Sequence, residues 1–425
     1  NRRAMVTTRA SRAREVAREE GKRANYVSRA VCSHLVLLAV TLVPYALQNY
    51  EKLPSETKPY TFHDNCFGAG TISTQCIIDA CKANLATIWT SVILIITASA
   101  AVYAGSWRSV KPSTVTEEEK PVAMSKADAM RFPLMGSVVL LGLFAAIKLL
   151  PKELLTVCLS LYFVLLGTFA ITATVLPFVD PWVPGFIRRA NISLGFLDKL
   201  PKVVKDFLLE ADEAGDFDLS TLKITGSELI CGLGSAALCY WYYMSKHWVS
   251  NNAIGISFCV QGIEMLSLGS VDVGIILLCG LFLYDIFWVF FTPVMVTVAK
   301  SFDAPIKLLF IRSLSLEDGA MKPQFSMLGL GDIVIPGIYI ALLLRMDHKR
   351  GFDKSNYFGP VFVSYILGLV ATLVVMNVFQ HAQPALLYLV PACLGSTFLV
   401  ALMKGEVRFI FNWTEVDQSA EKKEK

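Results

Sequence analysis

Long uninterrupted apolar runs decide most of what this chain can become. About nine of them, at 85–105, 131–150, 154–178, 227–244, 252–269, 272–292, 326–345, 357–379 and 384–403, follow an earlier one at 30–48 (Ala30 to Gln48). Each is about 18–25 residues long, the length that carries a helix across a hydrocarbon core. In lipid only helices and closed barrels satisfy every backbone group, and these runs are too long and too continuously apolar for barrel strands. The expected fold is an all-α membrane protein, a polytopic helical bundle of about nine core transmembrane helices. The 30–48 run adds either one more N-terminal helix or a cleavable signal sequence. The runs at 252–269 and 272–292 nearly touch and read as a tight helical hairpin.

Composition agrees. The chain is 54% hydrophobic and 17% charged, where a soluble domain is nearer a quarter charged. The net charge of +4 is modest and no basic tract carries interleaved aromatics, which excludes nucleic acid as a partner and leaves the lipid bilayer. Cys158, Cys231, Cys239, Cys259, Cys279 and Cys393 sit within apolar runs, where cysteine behaves as a small hydrophobe. Cys66, Cys76 and Cys81 share a polar stretch. One disulfide is expected among them in an oxidising compartment, its pairing left open. No Cys/His spacing suits zinc, so neither metal nor cofactor is expected.

Three regions follow. Residues 1–84 hold a basic segment, the first apolar run and the Cys-bearing loop; 85–404 form the core; 405–425 form a charged tail. If 50–84 is lumenal, the loops 106–130, 179–226 and 346–356 and the tail are cytosolic. They are richer in Lys and Arg than the opposite loops, as the positive-inside rule requires. The sequons at Asn191 and Asn412 fall on that cytosolic side, and neither is expected to be modified.

Two carboxylates stand where charges are costly. Asp285 lies in LFLYDIFWVFF and Asp332 in MLGLGDIVIPG; an ionisable residue within a membrane helix is a functional candidate by default. Asp285 is eight residues before Pro293, about 12 Å from its helix end, and Asp332 is seven after Phe325, about 10 Å from its helix start. On antiparallel helices joined by 293–325, the two would meet at similar depth. Facing carboxylates in a low-dielectric site share one proton. The ionised one can then deprotonate water while the other hydrogen-bonds a scissile carbonyl. Which aspartate holds the proton is open.

The neighbours fit such a site. Gly329 and Gly331 flank Leu330 before Asp332, and paired glycines beside a buried acid suggest close backbone approach or a helix–helix contact. Tyr284 either hydrogen-bonds the site or faces lipid. Pro384-Ala385-Leu386 opens the last run, either as a plain helix start or as backbone left free near the aspartates to hold an unwound substrate strand. Glu264 reads as a polar contact to neighbouring helices, and His34 and His381 as interfacial. No Ser/Cys/His nucleophile set and no HExxH is present. Intramembrane acids also suit a proton-coupled transporter or channel, the alternative reading.

The Tyr284-Asp285, Gly329-Leu330-Gly331-Asp332 and Pro384-Ala385-Leu386 motifs resemble the YD, GxGD and PAL motifs of the GxGD intramembrane aspartyl proteases. Within that group, FLYDIFWVFFTPVMVTVAKSFDAPIKLLF, FSMLGLGDIVIPGIYIALLLR and HAQPALLYLVPACLG resemble the signal peptide peptidase family, over roughly residues 85–405. The resemblance implies about nine core helices, with the aspartates on the sixth and seventh and Pro384-Ala385-Leu386 on the ninth. It implies an aspartic endopeptidase of the endoplasmic reticulum membrane with a cytosolic C-terminus. Its substrates would be transmembrane-helix peptides, such as signal peptides and type II membrane proteins; a homo-oligomer is left open. Lys422 and Lys423 resemble a dilysine retrieval signal.

Overall fold

The computed structural model describes residues 85–110, 123–188, 191–193, 223–301, 304–317, 320–351, 356–379 and 383–415. The 30–48 run, Cys66, Cys76, Cys81, Lys422 and Lys423 lie outside them. Nine long helices are present among the described residues: α1 (Leu85–Ser109), α2 (Lys126–Leu149), α3 (Lys152–Val179), α4 (Gly226–Ser245), α5 (Trp248–Met265), α6 (Val271–Phe290), α7 (Gly331–Arg350), α8 (Phe358–Phe379) and α9 (Leu386–Lys404). Six of them, α1–α3, α6, α8 and α9, are long and apolar enough to cross a membrane. The other three carry more polar residues, such as Asn251, Asn252 and Glu264 on α5 and Arg345 and Asp347 on α7.

Among the described residues six strands form three pairs. β1 (Ala123–Met124) runs parallel to β4 (Ser267–Leu268); β2 (Asn191–Ser193) is antiparallel to β3 (Lys223–Thr225); β5 (Lys307–Glu317) and β6 (Ala320–Gly329) make a long antiparallel hairpin. The end of the bundle where α6 stops and α7 starts is called upper here. The hairpin lies at that end and the β1–β4 pair at the lower one.

The expected tight turn between 252–269 and 272–292 is corrected. Residues 266–270 separate α5 from α6 and are partly taken up by β4, whereas only Lys246 and His247 separate α4 from α5. Lys246 makes that turn in the left-handed conformation (φ 49°), with its ammonium on Ser160 Oγ at 2.7 Å.

The core gathers α1, α5, α6, α7, α8 and α9. α7 is its axis: every residue from Pro336 to Asp347 is buried. By contrast α2 turns Leu134, Met135, Val138 and Val139 outward, all more than half exposed. So large an apolar wall belongs against lipid. Lipid tails are as apolar as leucine, so close packing must hold such helices together. Ile263 on α5 shows it. A Cβ added at Gly105 of α1 would lie 2.8 Å from Ile263 Cβ, and one at Gly337 of α7 would lie 2.5 Å from its Cδ1. Only glycine leaves room for this wedge.

Glu264, one residue further on, meets Arg108 of α1 at 2.6 Å. Arg108 also donates to the carbonyls of Thr174 and Ala173 on α3, each at 3.0 Å, and Gln261 donates to Glu264 at 3.3 Å. One guanidinium thus ties three helices, with Glu264 in the expected role of a contact to neighbours.

Candidate active site

Asp285 sits on the inward face of α6 with Leu278, Leu281 and Trp288, at offsets of three, four and seven residues that share one side of a helix, and is 5% exposed. Phe290, the last residue of the helix, lies five positions on, about 7.5 Å along it. Asp332 is the second residue of α7. The two carboxylates lie close enough for the charge on one to act on the other.

The expected depth of Asp332 is corrected. The 326–345 run is not one helix: Phe325 to Gly329 complete β6, and α7 begins only at Gly331. A short apolar segment has the same hydropathy as a strand or as a helix. Pairing decides here, since β6 is registered along β5 from Glu317↔Ala320 to Lys307↔Gly329.

The hairpin is fixed from α5. Asn252 closes a two-way bond with Leu309, accepting its N–H at 2.8 Å and donating to its carbonyl at 2.7 Å, and Asn251 donates to the Lys307 carbonyl at 2.8 Å. An asparagine amide thereby stands in for a neighbouring strand on the outer edge of β5. Sequence reasoning gave these residues no role, although adjacent asparagines in an apolar run were the available signal.

β6 delivers the chain into α7. Leu330 N–H bonds the Ile306 carbonyl at 3.0 Å, and the Leu330 side chain packs where a Cβ on Gly255 of α5 would lie at 3.3 Å. At Gly329 an added Cβ would stand 3.2 Å from Asp332 Oδ2; at Gly331 it would meet only Ile335, at 3.8 Å. The close approach read from the glycine pair therefore belongs to Gly329.

Pro384, Ala385 and Leu386 are all buried at the start of α9. Of the two readings of this segment the structure has the plain helix start rather than free backbone groups. The Pro384 carbonyl accepts from Leu387 N–H and the Ala385 carbonyl from Tyr388 and Leu389, within the first helical turn. The Leu386 N–H goes to Asp285 Oδ2 at 3.3 Å. Helices α2, α4 and α6 are capped by Ser125, Thr225 and Ser270. α9 has Ala385 at its N-cap, which has no side chain to offer, so the carboxylate of α6 serves in its place. α7 likewise has no side-chain cap, with Leu330 in that position. Two helix N-termini, each favouring negative charge, thus converge on the aspartates.

Tyr284 stands aside. Its ring packs on Gly136 of α2, at 3.6 Å from an added Cβ, and beside Trp288 at 6.3 Å between centroids. It makes no hydrogen bond to either aspartate among the described residues. It is half-buried between α6 and α2, neither of the two roles read for it.

A sequence profile of the signal peptide peptidase family matches residues 116–417. The chain belongs to the signal peptide peptidase family. It is 43% identical over 323 residues to the signal peptide peptidases of Mus musculus and Homo sapiens, covering 76% of this chain and 82% of each relative. It is 40% identical over 269 residues to intramembrane protease 2 of Caenorhabditis elegans, covering 59% of this chain and 57% of that protein. The matched span begins after α1 and takes in the described elements from β1 onward, with both aspartates, the hairpin and α9. Among the described residues no group of His, Cys, Asp and Glu is arranged to hold a metal ion.

Proposed function

We propose that this chain is an intramembrane aspartyl endopeptidase that hydrolyses peptide bonds within transmembrane segments, with Asp285 and Asp332 as its catalytic pair. The observation that supports the reading is the placement of two acidic side chains on separate helices that pack together, α6 and α7, inside an apolar bundle where a strand ends. One aspartate is ionised and takes a proton from water as the oxygen attacks the scissile carbonyl. The other is protonated and donates to that carbonyl oxygen as negative charge builds on it. Leu386 N–H holds Asp285 in place, and Gly329 gives the Asp332 carboxylate its clearance.

A peptide bond in an intact helix is shielded by its own hydrogen bonds, so the substrate must unwind locally. Among the described residues no third strand joins the β5–β6 pair, and β6 runs toward Asp332. An unwound substrate adding along β6 would have its backbone held by strand bonds. Pro384, Ala385 and Leu386 then form the buried wall opposite. Signal peptides left in the membrane and type II membrane segments are the substrates this reading names, with the endoplasmic reticulum membrane as its site, a cytosolic C-terminus and Lys422-Lys423 as a retrieval signal. The transporter reading draws on the aspartates alone and has no support in the family.

The test is purified protein in proteoliposomes with a helical reporter peptide. Cleavage inside the apolar segment, blocked by an aspartyl transition-state analogue, is expected. Ion flux without cleavage would replace the protease with a transporter.

A further inference from the structure

The lower end of α7 carries charge that a membrane helix does not tolerate alone. Arg345 is 7% exposed and Asp347 fully buried, with Lys349 and Arg350 beyond them. Asp347 is accounted for, since it accepts the backbone N–H groups of Tyr357 and Phe358 at 2.7 and 2.8 Å and so caps the start of α8. The cations are met from elsewhere. The chain leaves α9 through Gly405 (φ 67°) and folds back beneath the bundle as the short helix Val407–Asn412. Glu406 grips Arg350 with two bonds of 2.9 Å, and Tyr357 donates to the same carboxylate at 2.9 Å. Ile410 and Trp413 are buried at 3% exposure each. Thr414 bridges Ser270, and Glu415 N–H bonds the Gly269 carbonyl at 2.8 Å. The Glu415 carboxylate then lies 3.1 Å from Arg345 Nε and 3.4 Å from Lys349 Nζ. Ser267 accepts from Arg345 at 3.4 Å and donates to Glu415 at the same distance. The sequence had these residues as the start of the charged tail 405–425; in the structure Ile410 and Trp413 pack into the core.

We infer that residues 405–415 are a clasp on α7, and that Glu415 is a positioning residue for the aspartate pair, because neutralising Arg345 and Lys349 sets the depth of α7 and with it of Asp332 against Asp285. Arg345 is 13 residues from Asp332, about 20 Å along the helix. With no anion beside it, a buried guanidinium is drawn toward water, and the nearest water is below α7. A slide or tilt in that direction moves Asp332 away from Asp285, since one continuous helix, Gly331–Arg350, carries both Asp332 and Arg345. A displacement of about 1 Å at reacting groups can cost about a hundredfold in rate.

The inference rests on the aspartate pair proposed above, so Asp285→Asn is run beside it. Cleavage by the full chain that is lost in Asp285→Asn establishes the readout before any clasp variant is compared. Glu415→Gln is expected to lower kcat by about tenfold or more while KM stays within about twofold. The number of sites titrated by a saturating transition-state analogue should not change. Adding Arg345→Met, which removes the charge that needs a partner, should restore most of the lost turnover. A chain stopped after Val416 should turn over like the full chain. Wild-type kcat in Glu415→Gln overturns the inference. So does a loss made up of fewer titratable sites at unchanged turnover per site, which is the mark of a merely structural role. A double variant no better than Glu415→Gln alone, or a loss on stopping after Val416, overturns it as well.

Discussion

The Asp285 carboxylate accepts the backbone N–H of Leu386 at 3.3 Å, joining two residues 101 positions apart in the chain. The contact answers two needs at once. α9 begins at an alanine N-cap that cannot satisfy its first N–H groups, and Asp285 is a buried acid that needs an oriented donor. Each supplies the other, so the start of α9 and the acid on α6 are fixed as a unit. The proline before them adds rigidity without a competing donor, since it has no N–H.

Gly329 gives the clearest steric prediction. An alanine there would bring its Cβ to 3.2 Å from Asp332 Oδ2, a contact so tight that the carboxylate must give way by a few tenths of an ångström. Gly329→Ala should lower kcat by roughly threefold to tenfold, and Gly329→Val, with two more carbons, by about a hundredfold or more. Steady-state cleavage of one reporter by all three proteins checks the order. Equal rates for glycine and valine would show that the carboxylate has room there.

The Arg108–Glu264 pair makes a stability prediction. Glu264→Ala leaves a guanidinium inside the bundle without its anion, and a loss of about 3–5 kcal/mol is expected for breaking a buried pair from one side. Arg108→Met with Glu264→Leu removes both charges and should recover much of that loss. Thermal unfolding in detergent of the single and double variants reads the difference. A double variant as unstable as the sum of the singles would contradict it.

Much of this arrangement was legible in the sequence, and the misses share a cause. Helix number and order follow from the apolar runs because a span has a fixed length. Asp285 and Asp332 stood out because charge in such runs is costly. Hydropathy does not register direction or pairing. It read Ser326 to Gly329 as helix where β5 makes them strand, and it left open whether Pro384-Ala385 opens a helix or keeps its backbone groups free. Asn251 and Asn252 drew no attention because their partners, Lys307 and Leu309, are more than fifty residues away. Glu406 and Glu415 looked like any solvated charges because the cations they meet lie on α7, far back in the chain.

Glu406 makes the lower end sensitive to acid. Its two bonds from Arg350, with that of the Tyr357 hydroxyl, hold its carboxyl down from an ordinary value near 4.5 to about 2. A depressed acid stabilises the fold above its unfolded value, so this contribution is complete at neutral pH. It fades as pH drops below about 4.5 and is gone once pH has passed through about 2. Between those limits the wild-type melting temperature should fall more steeply than that of Glu406→Gln, which has no proton to gain. Parallel curves for the two proteins in that window would remove the claim.

The central measurement is cleavage of a membrane-embedded helical reporter by wild-type protein, Asp285→Asn and Asp332→Asn, at equal amounts of folded protein in the same lipid. Asparagine keeps the shape of each side chain but cannot exchange the proton that water attack requires. The pair acts as one unit, so either single change should leave no measurable turnover while unfolding temperatures stay at or above wild type. Wild-type-like cleavage by either variant, at that same folded amount, would contradict the assignment of Asp285 and Asp332 as the pair that activates water.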